Sequence, residues 1–331
     1  MDLLVELPLN RLSFGQISFN LVRECYKRSI QIGLVPIGEI DLSAYKVDQN
    51  LLNFIQEAIN RRHSLLRRDV PTIKLWHLNG SDSLRTPNQT LLSCHETDEV
   101  TEIEKSICGL QNKTLFLGGF SEEIFKKNGC ENVGSFSIGH DEDFYPTGQK
   151  TFTDRLHFGI IGKYEFRKNT KNIIRAWVKK YGNNKNYALT CLIQNPFFSP
   201  EDNQKLIAET LEGKRVWNCN FLPHLKTNEE MNQLYNAIDI DLSGASLSES
   251  WGIPAFTSTC LGKWSVVNNY GGHKSWANKE NSILIEPSGK KECYDGVFFK
   301  KGLPFNQGNF SVYDEDSLIF AMENAEKKSN Q

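Results

Sequence analysis

The stretch LHFGIIGKYEFRKNT, residues 156–170, decides the fold of this chain. Its apolar first half predicts a buried strand, the glycine and polar residues that follow predict a tight loop, and the periodic segment over 170–181 predicts a helix. Other parts of the chain repeat this order of short apolar run and amphipathic stretch. Alternating strands and helices are typical of an α/β protein with a mostly parallel, doubly wound sheet.

One polar segment interrupts the alternation. DEDFYPTGQKTFTD, residues 141–154, contains Pro and Gly and lacks an apolar pattern, so it is the best candidate for a domain boundary. We therefore predict two doubly wound domains, 1–150 and 151–311. The amphipathic tail over 312–331 predicts a C-terminal helix, which we expect to pack back on the first domain.

The first domain begins with the strand candidate DLLVEL, residues 2–7. ISFNLVRECYKRSIQI, residues 17–32, then places its apolar residues at helical spacing, and Gly33 is expected to end this helix. The next strand is predicted at LVPIG, residues 34–38.

The composition is that of a soluble globular protein. The chain has 331 residues, 39% of them hydrophobic, and a formal net charge of −2. This charge argues against a globally basic nucleic-acid binder but leaves room for a local basic patch. No apolar run reaches the ~20 residues of a membrane span. The first residues also lack the basic flank and long apolar stretch of a signal peptide.

The cysteines indicate a reducing compartment. None of the eight belongs to a C-x-x-C pair, and several lie in apolar segments, as is typical of buried, reduced thiols. The chain also lacks Cys and His clusters at the spacing of a structural zinc site. We therefore predict a cytoplasmic protein without a transmembrane segment, in the host-cell cytoplasm if the source is viral.

Two loops carry the residues of chemical interest, because ligands of such sheets bind beyond the carboxyl ends of the strands. The first loop, GKYEFRKNT at residues 162–170, places Lys163, Arg167 and Lys168 ahead of a helix. Clustered cations at a strand–helix junction suit a diphosphate. A solvated charged face is the alternative interpretation.

The second loop, SGASLSESWGIPAF at residues 243–256, leads into another helix. Gly252 would let a ligand approach the backbone closely, and Pro254 suits the first helical turn. Glu249 precedes both. A capped helix start, with Glu249 interacting with the helix dipole, is the simpler explanation of the same residues.

Together, the two loops resemble the nucleotide-sugar-binding domain of GT-B glycosyltransferases, in particular the large retaining group with an E-x7-E motif. The matching segments are FGIIGKYEFRKNTKNIIRAW, NEEMNQLYNAIDIDLSGASLSESWGIP and ENSILIEPSG. The similarity is strongest over residues 155–290 and weaker before them. The resemblance implies a GT-B fold, in which two Rossmann-like domains face a central cleft.

The resemblance also implies roles for residues of the second domain. Lys163 and Lys168, with the neighbouring Arg167, would bind the donor diphosphate, and Glu249 would face the transferred sugar. The backbone at 252–256 would cap the β-phosphate. The further nucleotide contacts implied in this way are Gly252, Ile253, Pro254 and Leu222.

One position departs from the motif. The second glutamate of E-x7-E, which binds the nucleotide ribose in the family, would fall where this chain has Thr257. A hydroxyl also hydrogen-bonds a ribose, but more weakly than a carboxylate does. Whether Thr257 replaces the carboxylate, and which nucleotide is bound, therefore stays open, with a UDP-sugar as the expected donor.

The first domain resembles the family more faintly. SCHETDEVTEIE places His95 where family members often have a histidine near the donor sugar, and SFGQISFNL places Gly15 where a glycine loop faces the cleft. His95 would position the sugar or the acceptor. A buried, hydrogen-bonded histidine is the alternative interpretation.

The resemblance predicts a retaining glycosyltransferase that moves a sugar from a nucleoside-diphosphate donor to a hydroxyl acceptor. Lys163, Lys168 and helix amides, rather than a metal or another cofactor, would stabilise the leaving group. Asp239 and Asp241 mimic the D-x-D metal motif of a different transferase fold, but we expect them to be structural. The alternative function is a non-catalytic nucleotide-sugar-binding protein of the same fold.

The acceptor stays open at this point. RRHSLLRR, residues 61–68, carries Arg61, Arg62, Arg67 and Arg68 and is either a solvated helix end or a patch that contacts phosphates. A cell-surface glycan or a lipid-linked acceptor needs no such patch. A DNA acceptor would contact the patch through its phosphates. Short phage-type members of the fold glycosylate hydroxymethylated bases of DNA, and such a base must be flipped out of the duplex.

Overall fold

The structure is a computed structural model that describes residues 2–66 and 69–330. Over these residues the chain divides into two compact units. Unit 1 contains the residues up to Asp141 together with Phe299–Gly308, and unit 2 contains Glu142–Phe298 together with the residues from Asn309 onward. The predicted α/β class is confirmed, since each unit is built on a parallel sheet whose strands alternate with helices.

Within its described residues, unit 1 has six parallel strands in the order β2-β1-β3-β4-β5-β6. Its elements are β1 (Leu3–Leu7), α1 (Ser13–Lys27), β2 (Ile32–Pro36), α2 (Gln49–Leu65), β3 (Thr72–Leu75), β4 (Gln89–Ser93), α3 (Glu102–Leu110), β5 (Lys113–Leu117), α4 (Gly119–Lys127) and β6 (Val133–Phe136).

Unit 2, over the residues described, has six parallel strands in the order β12-β11-β10-β7-β8-β9 and a separate antiparallel pair, β13 with β14. Its elements are β7 (Leu156–Ile161), α5 (Thr170–Tyr181), β8 (Tyr187–Leu192), α6 (Pro200–Leu211), β9 (Cys219–Phe221), α7 (Asn228–Ala237), β10 (Ile240–Asp241), α8 (Ile253–Cys260), β11 (Trp264–Asn268), β12 (Ser282–Ile285), β13 (Gly289–Glu292), β14 (Asn309–Val312) and α9 (Glu315–Ser329).

The segment that decides the fold becomes the centre of unit 2. Strand β7 is buried along almost its whole length, as expected for a parallel strand that is covered on both faces. Helix α5 follows it and buries Ile173, Ile174, Trp177 and Tyr181 along one face, which is the helical spacing that the sequence shows. Phe158 of β7 packs against the rings of Trp177 and Tyr181.

The C-terminal helix α9 packs on unit 2, so the expectation that residues 312–331 return to the first domain is wrong. The buried residues of α9 are Leu318, Ala321, Met322 and Ala325. These residues belong to the same core as Ile173 and Trp177 of α5. The apolar face of α9 therefore packs on the same side of the sheet as α5. Lys180 of α5 also pairs with Glu323 of α9.

The change of unit falls at Asp141, ahead of the predicted boundary at 150. The residues that follow Asp141 are held by asparagines of α7. The Tyr145 N–H donates to Asn232 Oδ1 at 3.0 Å, and the Thr147 N–H donates to Asn236 Oδ1 at 2.7 Å. This polar stretch is therefore not a free linker, because its backbone hydrogen-bonds with unit 2.

The chain also returns once to unit 1, over Phe299–Gly308, which the sequence pattern did not predict. Glu104 of α3 anchors this return, because its Oε1 accepts the Asn306 N–H at 2.9 Å. Thr101 Oγ1 donates to the carbonyl of Pro304 at 2.6 Å. These are contacts between residues far apart in sequence, and no local pattern indicates them.

The helix predicted over 17–32 both begins and ends earlier than expected, as Ser13–Lys27. It ends at Lys27, the chain turns at Ser29 with φ +56°, and β2 begins at Ile32. Gly33 therefore lies within a strand and does not end the helix. A Cβ on Gly33 would lie 3.0 Å from Leu65 Cδ1, so the glycine lets α2 pack closely against β2.

In the described part of the chain, no helix combines the length and the apolar character needed to cross a membrane.

Candidate functional site

The two loops singled out in the sequence lie side by side in unit 2. They leave β7 and β10, which are hydrogen-bonded neighbours at the centre of the sheet. The chain runs from β7 outward to β8 and β9, then crosses to β10 on the other side of β7. This reversal of strand order is the point where sheets of this kind bind ligands.

The backbone ties the two loops together. The Leu247 N–H donates to the carbonyl of Arg167 at 2.8 Å. Asn169 ends the first loop in the left-handed conformation, at φ +57°, and its Nδ2 donates to Tyr313 Oη at 2.8 Å. The Tyr313 hydroxyl in turn donates to the carbonyl of Ala245 in the second loop. The cations of one loop are therefore held in a fixed position against the carboxylate of the other.

Arg167, Lys168 and Glu249 form a buried ion cluster, which we call the Glu249 cluster. Arg167 Nη1 lies 3.0 Å from Glu249 Oε2, and Lys168 Nζ pairs with the other carboxylate oxygen. Arg167 also donates to the carbonyl of Ser248 at 2.9 Å and to Glu165 Oε1 at 2.8 Å. The side chains of Arg167 and Glu249 are only 9% and 7% exposed, so water screens this pairing weakly.

The charges of the cluster fix the protonation state of Glu249. Burial alone would raise the pKa of the carboxyl, but the neighbouring Arg167 and Lys168 outweigh burial and lower it to about 2. Glu249 is therefore ionised throughout the physiological pH range. The simpler explanation of the second loop was a capped helix start. It does not account for the pairing of Glu249 with two cations of the first loop.

Lys163 lies at the rim of the same site. Its Nζ is 3.7 Å from Glu165 Oε2 and 5.2 Å from the ring centroids of both Phe197 and Phe298. Its side chain is about one third exposed, so a ligand can reach it. The three cations therefore differ in environment. Arg167 is buried and Lys168 is partly buried, both against Glu249, whereas Lys163 is more exposed and lies beside aromatic rings.

Helix α8 begins at this site. Its N-cap residue is Gly252, with φ +79°, which has no side chain to hydrogen-bond the first amides of the helix. Ile253 and Pro254 form the first turn. An uncapped helix N-terminus offers N–H groups and a positive partial charge to an anion. The expected arrangement of cations and a helix N-terminus is therefore present in one place.

A histidine that the sequence analysis did not single out completes the site. The Gly271–Gly272 pair follows β11 and packs directly on the loop that carries Glu249, and the Gly272 N–H donates to the carbonyl of Glu249 at 2.7 Å. The next residue, His273, is 1% exposed, and its Nε2 lies 2.4 Å from the position that a Cβ on Gly252 would occupy. The signal available in the sequence was the glycine pair directly after a strand.

The protonation of His273 follows from burial. Its Nδ1–H donates to the carbonyl of Asn268 at 3.1 Å, whereas its Nε2 has no hydrogen-bond partner among the residues described. Burial lowers its pKa to about 4, although the charge of Glu249 acts in the opposite direction. The ring is therefore neutral near pH 7.

Asp239 and Asp241 have structural partners. Asp239 Oδ2 accepts the His157 N–H at 3.0 Å. Asp241 is fully buried and accepts from Ser243 Oγ at 2.6 Å and from the Ser243 N–H at 3.1 Å. Burial raises the Asp241 pKa to about 7 in spite of these bonds. In the described residues, no group of three or more His, Cys, Asp and Glu side chains could hold a metal ion.

The remaining predicted contacts of unit 2 lie near these loops. Thr257 is buried in α8, one turn beyond Ile253. Leu222 directly follows β9, its N–H donates to the carbonyl of Cys191 at 2.9 Å, and its side chain packs on a cluster that contains Ile161. Their roles toward a nucleotide stay predictions.

The two predicted residues of unit 1 are both enclosed by that unit. His95 is 2% exposed, its Nε2 lies 2.9 Å from the carbonyl of Glu99, and burial lowers its pKa. This matches the buried histidine named above as the alternative, and a role toward substrate stays a prediction. Gly15 lies in α1, where a Cβ would come within 1.8 Å of the carbonyl of Asn10, so close backbone packing already requires a glycine there.

The basic stretch is described only in part. Arg61 pairs with Asp2 at 3.3 Å and hydrogen-bonds with Gln31, and Arg62 lies in the last turn of α2. Arg67 and Arg68 lie outside the described residues. Residues 61–66, the described part of the stretch, thus form a helix end, as the simpler interpretation expects. A nucleic-acid role stays a prediction.

No protein-family model and no curated protein sequence matches the chain. Solved structures do. A sucrose-phosphate synthase from Thermosynechococcus elongatus is similar over 100% of this chain and 90% of its own, with 12% identity and a TM-score of 0.67. An α,α-trehalose-6-phosphate synthase from Burkholderia multivorans is similar over 98% and 88%, with 12% identity and a TM-score of 0.63. The chain has the GT-B fold.

A third similar structure holds ligands. HepE from Anabaena, solved in complex with UDP and glucose, is similar over 87% of this chain and 86% of its own, with 14% identity and a TM-score of 0.60. At such identities the likeness establishes the fold. The chemistry of this chain has to be argued from its own residues.

Proposed function

We propose that this chain is a glycosyltransferase that moves a sugar from a nucleoside-diphosphate donor, a UDP-sugar, to a hydroxyl acceptor with retention of the anomeric configuration. The observation that carries the proposal is the Glu249 cluster at the crossover between β7 and β10. The likeness to sucrose-phosphate and trehalose-6-phosphate synthases and to the UDP complex of HepE supports the same class of donor.

The cations of the site suit a diphosphate. Arg167 offers a planar fork for phosphate oxygens, and Lys163 and Lys168 act as point charges. The N-terminus of α8 adds N–H groups on the same side of the sheet. When the bond to the sugar breaks, negative charge develops on the leaving phosphate, and the cations that have bound the diphosphate stabilise this charge. We therefore propose leaving-group stabilisation by the protein alone, without a metal.

Glu249 is the proposed contact to the transferred sugar. It is ionised and buried, so it accepts hydrogen bonds from sugar hydroxyls strongly. For the retaining step we propose attack of the acceptor hydroxyl from the same face as the leaving group, with the departing phosphate taking the acceptor proton. Thr257 and Leu222 are the further residues proposed to contact the nucleotide, and whether the Thr257 hydroxyl takes the role of the ribose-binding carboxylate of the E-x7-E group stays open.

The acceptor is proposed as a hydroxyl of a cell-surface glycan or of a hydroxymethylated base in DNA, as in short phage-type members of the fold. In unit 1, His95 is proposed to position the sugar or the acceptor, and Gly15 is proposed to face the cleft. Arg61, Arg62, Arg67 and Arg68 are proposed for contacts with DNA phosphates. Binding to DNA through them has to weaken steeply as salt rises. A complex with DNA whose affinity does not depend on salt would show that these arginines do not contact DNA phosphates.

We also propose that the protein acts in the cytoplasm. All eight cysteines, which lie in the described residues, are free thiols, and burial raises the Cys108 pKa to about 12. Thiols of this kind persist in a reducing compartment.

The experiment that tests the proposal measures release of nucleoside diphosphate from a panel of nucleotide sugars with glycan and hydroxymethylcytosine-DNA acceptors. Lys168→Ala and Glu249→Ala are expected to abolish turnover. Lys171→Ala and Glu280→Ala, which remove exposed residues of the same unit, are the matched controls and are expected to retain it. Equal rates in all four variants would refute the site assignment.

The product then decides between the remaining alternatives. NMR of the purified product is expected to show the anomer of the donor, and an inverted anomer would overturn the retaining assignment. Binding of UDP-sugars without turnover against the whole panel would assign the alternative function, a non-catalytic nucleotide-sugar-binding protein. Thr257 in place of a carboxylate motivates this second candidate.

A further inference from the structure

The proposed donor and Glu249 compete for the same cations. Arg167 and Lys168 are both paired with the Glu249 carboxylate, and the donor diphosphate needs these two side chains. When they turn to the phosphates, Glu249 loses the charges that balance it while it stays buried. A buried carboxylate without a partner is costly, so a second group has to take over.

The charge balance of the described part of the site also indicates that a second group has to balance Glu249 when the donor binds. Three cations, Lys163, Arg167 and Lys168, face two carboxylates, Glu165 and Glu249, so the ligand-free site carries an excess of positive charge. Both phosphates of a nucleotide sugar are ionised at neutral pH, and their arrival reverses the sign. Uptake of one proton would restore the balance.

His273 is the group placed to take that proton. Its Nε2 lone pair is fully buried and has no hydrogen-bond partner among the described residues. Nε2 lies 2.4 Å, and Glu249 Cγ 3.7 Å, from the same point, the position of a Cβ on Gly252. The side chains of His273 and Glu249 therefore both border the space that a side chain at position 252 would occupy.

The charged groups around His273 act in a consistent way. Glu249 favours its protonated form, whereas Lys168 and Arg167 oppose it. Movement of the two cations toward a diphosphate therefore weakens the opposing charges and leaves the favourable one. Asp241 is another buried titratable group near Lys168, but both of its oxygens already accept hydrogen bonds from Ser243.

We propose that His273 is a positioning residue for Glu249: when a nucleotide sugar draws Arg167 and Lys168 onto its diphosphate, Nε2 of His273 takes up a proton from solvent and holds the Glu249 carboxylate toward the sugar. This inference rests on the proposed donor. Nδ1 keeps its hydrogen and its bond to Asn268, and no covalent bond other than the new N–H forms or breaks. Donor binding therefore consumes a proton.

The test follows the ring signals of the histidines by NMR as pH is varied, with His273→Gln used to assign the signal. UDP-glucose is the probe, because its diphosphate is esterified at both ends and does not itself titrate near neutral pH. We expect saturation with UDP-glucose to move the His273 midpoint upward by at least about two pH units, from about 4 to 6 or above, so that the ring takes up a proton at pH 6. An unchanged midpoint in the UDP-glucose complex would overturn the inference while leaving the proposed donor intact.

Calorimetry supplies a second readout that a merely structural histidine would not change. UDP-glucose binding at pH 6 is measured in two buffers of different ionisation enthalpy. Wild type is expected to take up a proton, and His273→Gln is expected to bind without uptake. Equal uptake in His273→Gln, or uptake lost only in Asp241→Asn, would assign the proton elsewhere and overturn the proposal.

A ligand-free variant separates failure of this inference from failure of the proposed function. Lys168→Met removes one cation from Glu249, as the diphosphate would, and is expected to raise the His273 midpoint without any nucleotide. No change in this variant would contradict the coupling of the three side chains. Absence of UDP-glucose binding to wild type would instead refute the proposed donor, and the positioning role with it.

Discussion

Arg167 Nη1 lies 3.0 Å from Glu249 Oε2, and both side chains are almost fully enclosed by unit 2. The pair joins the loop after β7 to the loop after β10, at the crossover of the sheet. Because the backbone also connects the loops, the two cations and the carboxylate are held next to one another. A diphosphate that binds these cations therefore has to compete with Glu249 for them.

Substitution of Gly252 tests how closely His273 packs against the N-terminus of α8. Gly252 and Gly213 have similar positive φ values, +79° and +71°, which cost an alanine ~1–2 kcal/mol. A Cβ on Gly252 would in addition meet His273 Nε2 at 2.4 Å, whereas a Cβ on Gly213 meets no described atom within 4 Å. We expect Gly252→Ala to lose ~1–3 kcal/mol of unfolding free energy beyond Gly213→Ala.

Urea denaturation of the two glycine variants checks this expectation. Equal losses would show that His273 does not occupy the space beneath Gly252.

The pH dependence of stability tests the burial of His273 in the ligand-free protein. Burial lowers its pKa from 6.5 to about 4, so between these values the unfolded chain binds a proton and the native ring does not. The contribution of the buried, neutral ring to the free energy of unfolding is therefore fully present above pH 6.5. It is lost as pH falls toward 4, and the free energy of unfolding then changes by up to ~1.4 kcal/mol per pH unit. His273→Gln is expected to show a shallower loss of stability in this window.

Chemical denaturation of wild type and His273→Gln at several pH values measures the difference. Parallel curves between pH 4 and 6.5 would contradict the assignment of a buried, neutral His273. The burial that lowers the pKa of His157 and His95 acts in both proteins, so it does not affect the comparison.

Helix α9 should contribute to the stability of unit 2. Met322 is fully buried in the core that contains Trp177, whereas Phe320 on the same helix is 60% exposed. Met322→Ala is expected to cost ~2–5 kcal/mol, and Phe320→Ala less than ~0.5 kcal/mol. Tryptophan fluorescence during urea unfolding measures both, and a neutral Met322→Ala would place the helix elsewhere.

Local patterns predicted most of the elements, because burial on one face fixes their period. The segment over 170–181 is the helix Thr170–Tyr181, and the strand candidate over 2–7 is the strand Leu3–Leu7. The error at Gly33 arose because glycine has two uses. It ends many helices, but here it lets a strand and a helix pack closely.

The features that the sequence analysis missed depend on contacts between distant residues. The face of α9 is apolar whichever unit it covers, so its spacing alone could not identify α5 as the partner. The return of Phe299–Gly308 to unit 1 rests on single hydrogen bonds such as that of Asn306 with Glu104. His273 enters the site because a glycine pair lets its backbone approach a loop that precedes it in the chain.

The site was predicted in part for the same reason. Strand–helix alternation predicted that Lys168 and Glu249 follow the carboxyl ends of strands, and the resemblance to GT-B glycosyltransferases assigned both residues to one donor site. Their direct pairing was not predictable, because it depends on rotamers that only the packed loops define. The pairing is also what implies competition with the diphosphate.

The central claim is that the cations of the Glu249 cluster bind the diphosphate of the donor, and calorimetric titration with UDP tests it most directly. Wild type and Lys171→Ala are expected to bind UDP with equal affinity, and Lys168→Ala is expected to bind at least about tenfold more weakly, a loss of ~1.4 kcal/mol. Equal affinity in wild type and Lys168→Ala, or no binding of UDP to wild type, would contradict the account.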